Sequence, residues 1–170
     1  VGRFLVGCGK RDPNRTGDRE FAVVEVEAGT RVDFEVVSPT ITAEDERLAG
    51  ALATTEEIAS HVRAIRDIVA ANRSTLVFVN TRQTAEALGS RFKKLGTNLG
   101  VHHGSLARET RIDVEDRFKA GDLDALLCTS SMELGIDVGH VDHVIQYGSP
   151  RQVARLLQRV GRAGHRRDLV

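Results

Sequence analysis

The sequence predicts an α/β fold in which a parallel sheet carries helices on both faces. From about residue 55 onward, short apolar runs alternate with amphipathic segments, and this alternation is typical of a parallel sheet with crossover helices. The apolar run at residues 75–79 is continuous rather than alternating, which indicates a strand buried on both faces. Both observations point to the same class of fold.

The first part of the chain has a different character. Residues 9–19 are rich in glycine, proline, asparagine and charge, as loops are. The β-rich runs 21–26 and 31–37 are separated by residues 28–30, which suits a hairpin. We therefore predict a hairpin-like connector over residues 1–38, left over from a preceding domain, and one α/β domain over residues 39–170.

The predicted helices each have one apolar face. These faces are formed by Ile58, Val62, Ile65 and Val69 in the helix over residues 56–71, and by Ala85, Leu88, Phe92 and Leu95 in the next helix. Thr81 can cap the second of these helices. A third helix is expected to pack Ile112, Val114 and Phe118 inward, and a last helix covers residues 152–160.

The remaining apolar runs predict the other strands of the sheet. They lie near Val101 and at residues 123–128 and 141–145. In sheets of this kind, ligands bind beyond the carboxyl ends of the strands. The polar motifs of this chain follow directly after predicted strands, so function is expected at that edge.

Composition excludes several classes of protein. Lys+Arg and Asp+Glu both number 24, so the net charge indicates no partner. Cys8 and Cys128 belong to no CxxC pair, which suits a reducing cytoplasm, and no apolar stretch approaches membrane-spanning length. The histidines raise the alternative of a metal site, formed by His102, His103, His140, His143 and Cys128. No pair of them has the spacing of a zinc site on one helix, so no metal site is predicted.

A phosphate-binding loop of the pattern GxxxxGK[ST] is absent from the sequence. Gly9 and Lys10 do not form one, since Phe4 and Arg11 occupy the positions that need glycine and a hydroxyl. The acidic pair at residues 45–46 follows no apolar strand, so it is not a magnesium-binding box. The chain is therefore not expected to enclose nucleotide phosphates by itself.

The most informative segment is residues 158–166, with the sequence Gln-Arg-Val-Gly-Arg-Ala-Gly-His-Arg. Between residues 151 and 167 the chain has six arginines and no acidic residue. Most basic clusters are solvated faces, but arginines beside two glycines suit close contact of guanidinium and backbone with phosphate. A guanidinium binds phosphate oxygens bidentately, and an arginine finger can raise the rate of hydrolysis by several powers of ten.

Three further motifs follow predicted strands. In the segment 129–137, the hydroxyls of Thr129 and Ser130 can donate to a nucleic-acid phosphate. The segments 77–82 and 102–105 combine short polar groups with a helix N-terminus, which can hold a phosphate. Each motif alone is more often a cap and a turn. Together with residues 158–166, however, four segments occur in order within about ninety residues.

In this order, the four segments resemble motifs IV, V and VI of superfamily 2 helicases and the strand-end element that adjoins motif IV. The segments 130–137, 146–150 and 154–159 are most similar to the large helicase-related (Lhr-type) proteins. The resemblance covers about residues 35–170, and residues 1–10 look like the tail of a preceding RecA-like domain. It implies a RecA-like helicase C-terminal domain that works with an N-terminal RecA-like domain of the same polypeptide.

The resemblance also implies an activity and its cofactors. Mg²⁺-ATP is expected to be held mainly by the partner domain, and ATP drives translocation in the 3′→5′ direction along a single strand, with DNA expected before RNA. The residues expected to act in catalysis are Arg162, Arg159 and Gln158, and those expected to bind the nucleotide are Gly135, Asp137 and Arg166. The residues expected to grip strand phosphates are Asn80, Thr81, Arg82, Gly104, Ser105, Thr129 and Ser130.

Three positions depart from common family patterns. His165 stands where many relatives have an arginine, so that arginine is either absent or replaced by Arg166. Gln158 stands where some RNA-remodelling relatives have histidine, and Ser130 stands where the DEAD-box group has aspartate. These departures argue against a DEAD-box RNA helicase without excluding RNA as a substrate.

Two other classes of protein fit parts of the sequence. A non-catalytic RecA-like adaptor would explain the fold and the missing phosphate loop, but not the arginines beside two glycines. A small-molecule domain of doubly wound type would need a glycine-rich turn after its first strand, and residues 79–82 offer none. The sequence therefore favours the helicase interpretation.

Overall fold

The structure is a computed structural model and describes residues 34–133 and 138–163. The chain divides into two units, residues 1–34 and residues 35–170, and the helices and strands below belong to the second. Most of the predicted hairpin lies outside the described residues. Its last part, residues 34–37, lies in no strand, so that part of the prediction is wrong. Phe34 and Val36 are 80% and 90% exposed.

The second unit alternates helices and strands, as predicted. In chain order the elements are α1 (Ala43–Leu52), α2 (Glu56–Ala71), β1 (Thr75–Phe78), α3 (Arg82–Lys94), β2 (Leu99–His102), α4 (Arg108–Ala120), β3 (Ala125–Cys128), β4 (His143–Gln146) and α5 (Val153–Val160). A single 3₁₀ turn at Ser130–Met132 follows β3 within the described part of the chain.

The described strands form one parallel sheet in the order β2-β3-β1-β4. Their register is level, since Thr75 at the start of β1 pairs with Ala125 of β3 and His143 of β4, and Ala125 pairs with Leu99 of β2. The four strands therefore also end at the same level, which brings the loops that follow them to one edge of the sheet.

The sheet has a separate hydrophobic core on each face, because successive side chains of a strand point to opposite sides. In β1, Val77 belongs to a cluster with residues of α1, α2 and α3. Leu76 and Phe78 belong to a second cluster with Val114 and Phe118 of α4. The predicted parallel sheet with helices on both faces is confirmed.

Two predicted helix starts are confirmed, and the second of them also has its predicted cap, Thr81. Thr55 precedes α2, and its Oγ1 accepts a hydrogen bond from the N–H of Ile58 at 3.3 Å. Thr81 precedes α3, and its Oγ1 accepts from the N–H of Thr84 at 3.1 Å. Each bond satisfies one of the backbone donors that a helix leaves unpaired in its first turn.

Helix α1 is an element that the sequence analysis does not predict. Its start is a capping box, in which Oδ2 of Asp45 accepts from both the N–H and the Oγ1 of Thr42 at 2.8 Å. Asp45 is fully buried and also accepts from Nε of Arg63, on α2, at 2.8 Å. The Arg63 guanidinium lowers the pKa of Asp45 to about 2. This ion pair fastens α1 to α2.

The expected inward face of α4 is correct for Val114 and Phe118 but wrong for Ile112, which is 44% exposed. Successive residues of a helix are about 100° apart, so Ile112 lies about 200° from Val114 and on the far side of α4. The close packing of α4 on the sheet also explains a glycine in β2. A Cβ atom at Gly100 would lie only 2.7 Å from Cγ1 of Val114.

Candidate functional site

Four chain segments leave the sheet at the carboxyl ends of β2, β3, β1 and β4. Because the strands are parallel and level, these segments lie side by side at one edge, where ligands of such sheets bind. The described residues of the predicted site occur in three of these segments and on α5 with the turn after it.

Arg159, on α5, lies inside the domain and is 1% exposed. Its Nε and Nη2 both donate to Oε1 of Glu133, at 2.9 and 2.5 Å. Its Nη1 donates to Oε1 of Gln146 at 2.5 Å and to Oδ1 of Asn80 at 3.5 Å. The guanidinium carbon lies 5.1 Å from the centroid of the Phe78 ring. We call Asn80, Glu133, Gln146 and Arg159 the Arg159 cluster.

This placement is at odds with the predicted contact between Arg159 and a nucleotide. All three guanidinium nitrogens have partners within the chain, and a buried carboxylate balances the charge. To reach a ligand, Arg159 would have to leave Glu133 buried without its cation, which is strongly unfavourable. The geometry fits a residue that positions other groups.

Arg162, in the turn after α5, has a different environment. It is half-buried, and its Nη2 donates to the backbone oxygen of Glu133 at 2.6 Å. Glu133 thus holds Arg159 through its side chain and Arg162 through its backbone. Glu133 is not among the predicted site residues. The sequence signal for it is an acidic residue flanked by the apolar Met132 and Leu134 within motif V, because a buried carboxylate needs a cation nearby.

Asn80 connects the segment after β1 to the segment after β4. Its Nδ2 donates to the backbone oxygen of Ser149 at 2.8 Å, and its Oδ1 accepts from Arg159. Nε2 of Gln146 donates to the backbone oxygen of Gly148 at 2.9 Å. Asn80, which is predicted to grip a strand phosphate, is therefore itself a member of the Arg159 cluster.

The segments after β1 and β2 meet through Arg82. Its Nη1 donates to Oγ of Ser105 at 3.0 Å, and both side chains are exposed. Thr81 is exposed as well, although its hydroxyl already serves as the cap of α3. Gly104 is exposed, and a Cβ atom there would meet nothing within 4 Å. Packing within the described protein therefore does not explain the glycine at this position.

The segment after β3 is tied to the segment after β2. The N–H of Thr129 donates to the backbone oxygen of His102 at 3.3 Å. Oγ of Ser131 lies 2.8 Å from Nδ1 of His102 and 3.5 Å from Oγ1 of Thr129. Thr129 is half-buried, whereas Ser130 is exposed at the start of the 3₁₀ turn. The hydroxyls after β3 are thus held beside the end of β2.

His102 supports this arrangement from inside the domain. It is fully buried between Ser131 and Glu115, whose Oε1 lies 2.8 Å from Nε2 of the ring. Burial lowers the pKa of His102 below its usual range, because it disfavours the charged ring more strongly than Glu115 favours it. Neutral His102 can donate through one ring nitrogen and accept through the other.

Several predicted residues lie outside the described part of the chain or at its surface. Gly135, Asp137 and Arg166, the predicted nucleotide-binding residues, are among those outside it. Gln158 is exposed on α5. Of the predicted catalytic residues, Arg159 and Arg162 are brought together by Glu133, and no described contact adds Gln158 to them.

Neither a metal cluster nor a membrane-spanning helix is found in the described residues. In residues 34–133 and 138–163, no three His, Cys, Asp or Glu side chains are grouped so as to hold a metal ion. Over the same ranges, no helix has both the length and the apolar character needed to cross a membrane.

Comparison with a domain family and comparison with individual proteins both relate this chain to helicases. The helicase conserved C-terminal domain family matches residues 60–167. The ATP-dependent helicase Lhr-Core of Methanothermobacter thermautotrophicus is 36% identical over 174 residues, which cover 97% of this chain and 19% of that protein. The chain thus spans about a fifth of the length of this protein and of two further Lhr-Core relatives.

Solved structures agree with the fold. The structure of the Mycobacterium smegmatis helicase Lhr bound to ssDNA and AMP-PNP matches with a TM-score of 0.60 and 44% identity, over 67% of this chain and 16% of that chain. The structure of S. cerevisiae Dbp5 bound to RNA and ADP BeF3 matches with a TM-score of 0.57 and 27% identity, over 62% of this chain and 29% of that chain. By its sequence match and its RecA-like sheet, the chain belongs to the helicase conserved C-terminal domain family, and it is similar to the Lhr-type helicases of superfamily 2.

Proposed function

We propose that this chain is the C-terminal motor half of an ATP-dependent helicase that moves 3′→5′ along single-stranded DNA. An N-terminal RecA-like domain of the same polypeptide holds Mg²⁺-ATP, and Arg162 reaches the nucleotide across the interface as an arginine finger. The observation that carries this proposal is the position of Arg162 at the carboxyl edge of the sheet, anchored by the backbone oxygen of Glu133. Lhr-type relatives described as ATP-dependent helicases support the activity.

In this mechanism, ATP draws the two domains together because it makes contacts in the closed state that are lost in the open one. Arg162 stabilises the charge that spreads over the transferred phosphoryl group. Gln158, which is exposed on α5, is proposed to assist on the motif resemblance alone. Gly135, Asp137 and Arg166 are proposed on the motif resemblance alone to complete the nucleotide site. Mg²⁺ would be held chiefly by the partner domain.

The second surface of the proposed motor binds the strand through its phosphates. Its residues all lie in the segments that follow β1, β2 and β3. They are Asn80, Thr81, Arg82, Gly104, Ser105, Thr129 and Ser130. Hydroxyl, amide and guanidinium donors are suited to phosphate oxygens, which carry no sequence information. The structure of the M. smegmatis relative with ssDNA favours DNA as the ligand.

The finger role is tested in the full-length helicase with Arg162→Ala. We expect the kcat of ssDNA-stimulated ATP hydrolysis to fall by about a thousandfold, while the affinity for ssDNA changes by less than about threefold. Arg117→Ala is the matched control, since Arg117 is exposed on α4 and pairs only weakly with Asp113 at 3.8 Å. An Arg162 variant that loses strand affinity but keeps its kcat would refute the finger role.

The strand surface is tested with the double variant Arg82→Ala/Thr129→Ala in the same protein. We expect roughly a tenfold to hundredfold loss of ssDNA affinity and a shallower dependence of that affinity on salt, because one or two phosphate contacts are removed. The KM for ATP without DNA should stay unchanged. Unaltered ssDNA affinity would count against this surface.

The division of labour between the two domains has its own test. The isolated chain should show no measurable ATPase activity, because nothing in its sequence can enclose the ATP phosphates. Turnover by the isolated chain would overturn the half-site arrangement. Strand binding by a full-length protein that shows no ATPase activity would instead indicate the adaptor class.

A further inference from the structure

We propose that Glu133 is the positioning residue for Arg162, and that Arg159 connects this position to the strand-binding surface through Asn80. The inference deepens the proposed function and rests on it, since it concerns how the proposed finger is held. It adds Glu133, a residue outside the motif-based assignments, and it gives Arg159 a positioning role.

Glu133 is placed to control Arg162 because two different parts of the residue have partners. Its carboxylate, 8% exposed, binds Nε and Nη2 of Arg159. Its backbone oxygen accepts from Nη2 of Arg162 at 2.6 Å. A shift of the Glu133 backbone would therefore move the anchor of Arg162, and the ion pair with Arg159 opposes such a shift.

The other end of Arg159 reaches the strand-binding side. Nη1 donates to Oε1 of Gln146 at the end of β4 and to Oδ1 of Asn80, which follows β1. Asn80 in turn donates to Ser149 and is exposed at the edge of the sheet. A strand phosphate bound at Asn80 is thus separated from the anchor of Arg162 by two side chains, those of Arg159 and Glu133.

Stability alone does not require charges at this position. A buried ion pair can often be replaced by apolar residues of similar volume without loss of stability, whereas removal of one partner is strongly destabilising. Phe78 under the guanidinium and the fully buried Met132 next to Glu133 offer apolar contacts to such a replacement. Gln146 and Asn80, which would lose their bonds to Arg159, are half-buried and exposed, so water can replace that donor. Compared with an apolar pair of similar volume, the ionic pair adds hydrogen bonds of fixed direction and geometry.

The decisive variant is therefore Glu133→Leu/Arg159→Met in the full-length helicase, which removes both charges together. We expect its thermal unfolding midpoint to equal or exceed that of the unmodified protein. Its kcat for ssDNA-stimulated ATP hydrolysis should nevertheless fall by roughly tenfold to a hundredfold, with the KM for ATP and the ssDNA affinity within about threefold of the unmodified values. A stable double variant with unchanged kcat would overturn the inference.

A second variant keeps the test decisive if the double variant does not fold. Glu133→Gln retains the shape of the side chain and the backbone oxygen but removes the charge. We expect a loss of kcat in the presence of ssDNA that exceeds the loss without ssDNA, because the link to Asn80 acts when the strand is bound. Equal losses with and without ssDNA would contradict the link, and no loss at all would contradict the positioning role.

Two controls separate this inference from the proposed function and from a general loss of stability. Asp45→Asn breaks a different buried ion pair, the one with Arg63, and it should lower the unfolding midpoint while kcat stays unchanged. Arg162→Ala must abolish most of the kcat for the finger proposal to stand. If Arg162→Ala does so while both Glu133 variants keep their kcat, the positioning inference fails and the proposed function survives.

Discussion

Two buried carboxylate–arginine pairs stabilise different regions of this domain. Asp45 and Arg63 join α1 to α2, and Glu133 and Arg159 join the segment after β3 to α5. Both carboxylates are almost completely shielded from water. The Arg63 side chain, however, is 18% exposed, whereas that of Arg159 is 1% exposed.

The difference between the pairs lies in what surrounds them. Asp45 also accepts two hydrogen bonds from Thr42. Its partners are therefore Thr42, directly before α1, and Arg63, on α2. The Glu133–Arg159 pair continues into Asn80, Gln146 and the backbone contact to Arg162. A buried carboxylate–arginine pair therefore holds two helices together in one region and connects loop segments in the other. The Glu133–Arg159 pair differs in that it lies at the edge of the sheet.

The largest loss of stability is expected from Arg159→Ala. This change leaves the Glu133 carboxylate buried without a cation, which costs about 3–5 kcal/mol of the free energy of unfolding. Arg63→Ala should cost clearly less, because Asp45 retains its bonds to Thr42 and water can enter where Arg63 was exposed. Equilibrium unfolding of the two variants in urea measures the difference. Equal losses would show that the surroundings of the two pairs do not matter.

A smaller effect is expected from Asp45→Asn. The thermal unfolding midpoint should fall by roughly 3–8 °C, since the charge of the pair and one acceptor of the capping box are both lost. Amide hydrogen exchange should accelerate first in α1, which the box begins. A matched variant, Thr42→Ala, removes the hydroxyl bond alone and should shift the midpoint less. Faster exchange in α5 rather than α1 would contradict this assignment.

The pH dependence of stability gives a further test of the Asp45 pair. Its pKa is about 2 in the folded domain, below the value of about 3.9 for an unfolded chain. The unfolded state therefore binds the proton more readily, and the stabilisation is present above about pH 4 and is lost as the pH falls toward 2. Asp45→Asn should flatten this part of the stability curve. If the free energy of unfolding of the variant depends on pH between 4 and 2 as steeply as that of the unmodified protein, other groups cause this dependence.

The smallest effect is expected from His102, whose pKa is lowered by burial. The unfolded chain again binds the proton more readily, so stability should fall as the pH drops below about 6.5, the usual value for histidine. His102→Gln can keep one hydrogen bond without titrating in this range. Comparison of unfolding free energies at pH 8 and pH 5 should show a smaller decrease in the variant, and an identical decrease would exclude His102 as the source.

The strands and most of the helices of this domain could be predicted because their signals are local. The continuous apolar run of β1 and the 3.6-residue spacing in α2 each reflect burial of one short segment. Helix α1 was not predicted because residues 44–47 are all charged and interrupt any apolar periodicity. Its decisive features are the capping box and the ion pair with Arg63. That pair joins positions 45 and 63, and no periodicity indicates it.

The position of the candidate site could be predicted from the sequence, but the buried contacts within it could not. The motifs place Arg82, Ser105 and Thr129 after neighbouring strands, as the structure shows. The motif around residues 158–166 does not distinguish a buried arginine from one at a surface, because Arg159 and Arg162 occur in the same basic run. The distinction depends on Glu133, which is 26 residues away from Arg159 in the chain.

The hydrogen bonds between the segments at the strand ends have a mechanical consequence. Arg82 fastens the segment after β1 to that after β2, and Thr129 fastens the segment after β3 to His102. A polynucleotide lying on them would meet a single stiff platform, in which no segment can slide past its neighbour without breaking a bond. Under the proposed function, each step along the polynucleotide would then require movement of the whole domain rather than of individual loops.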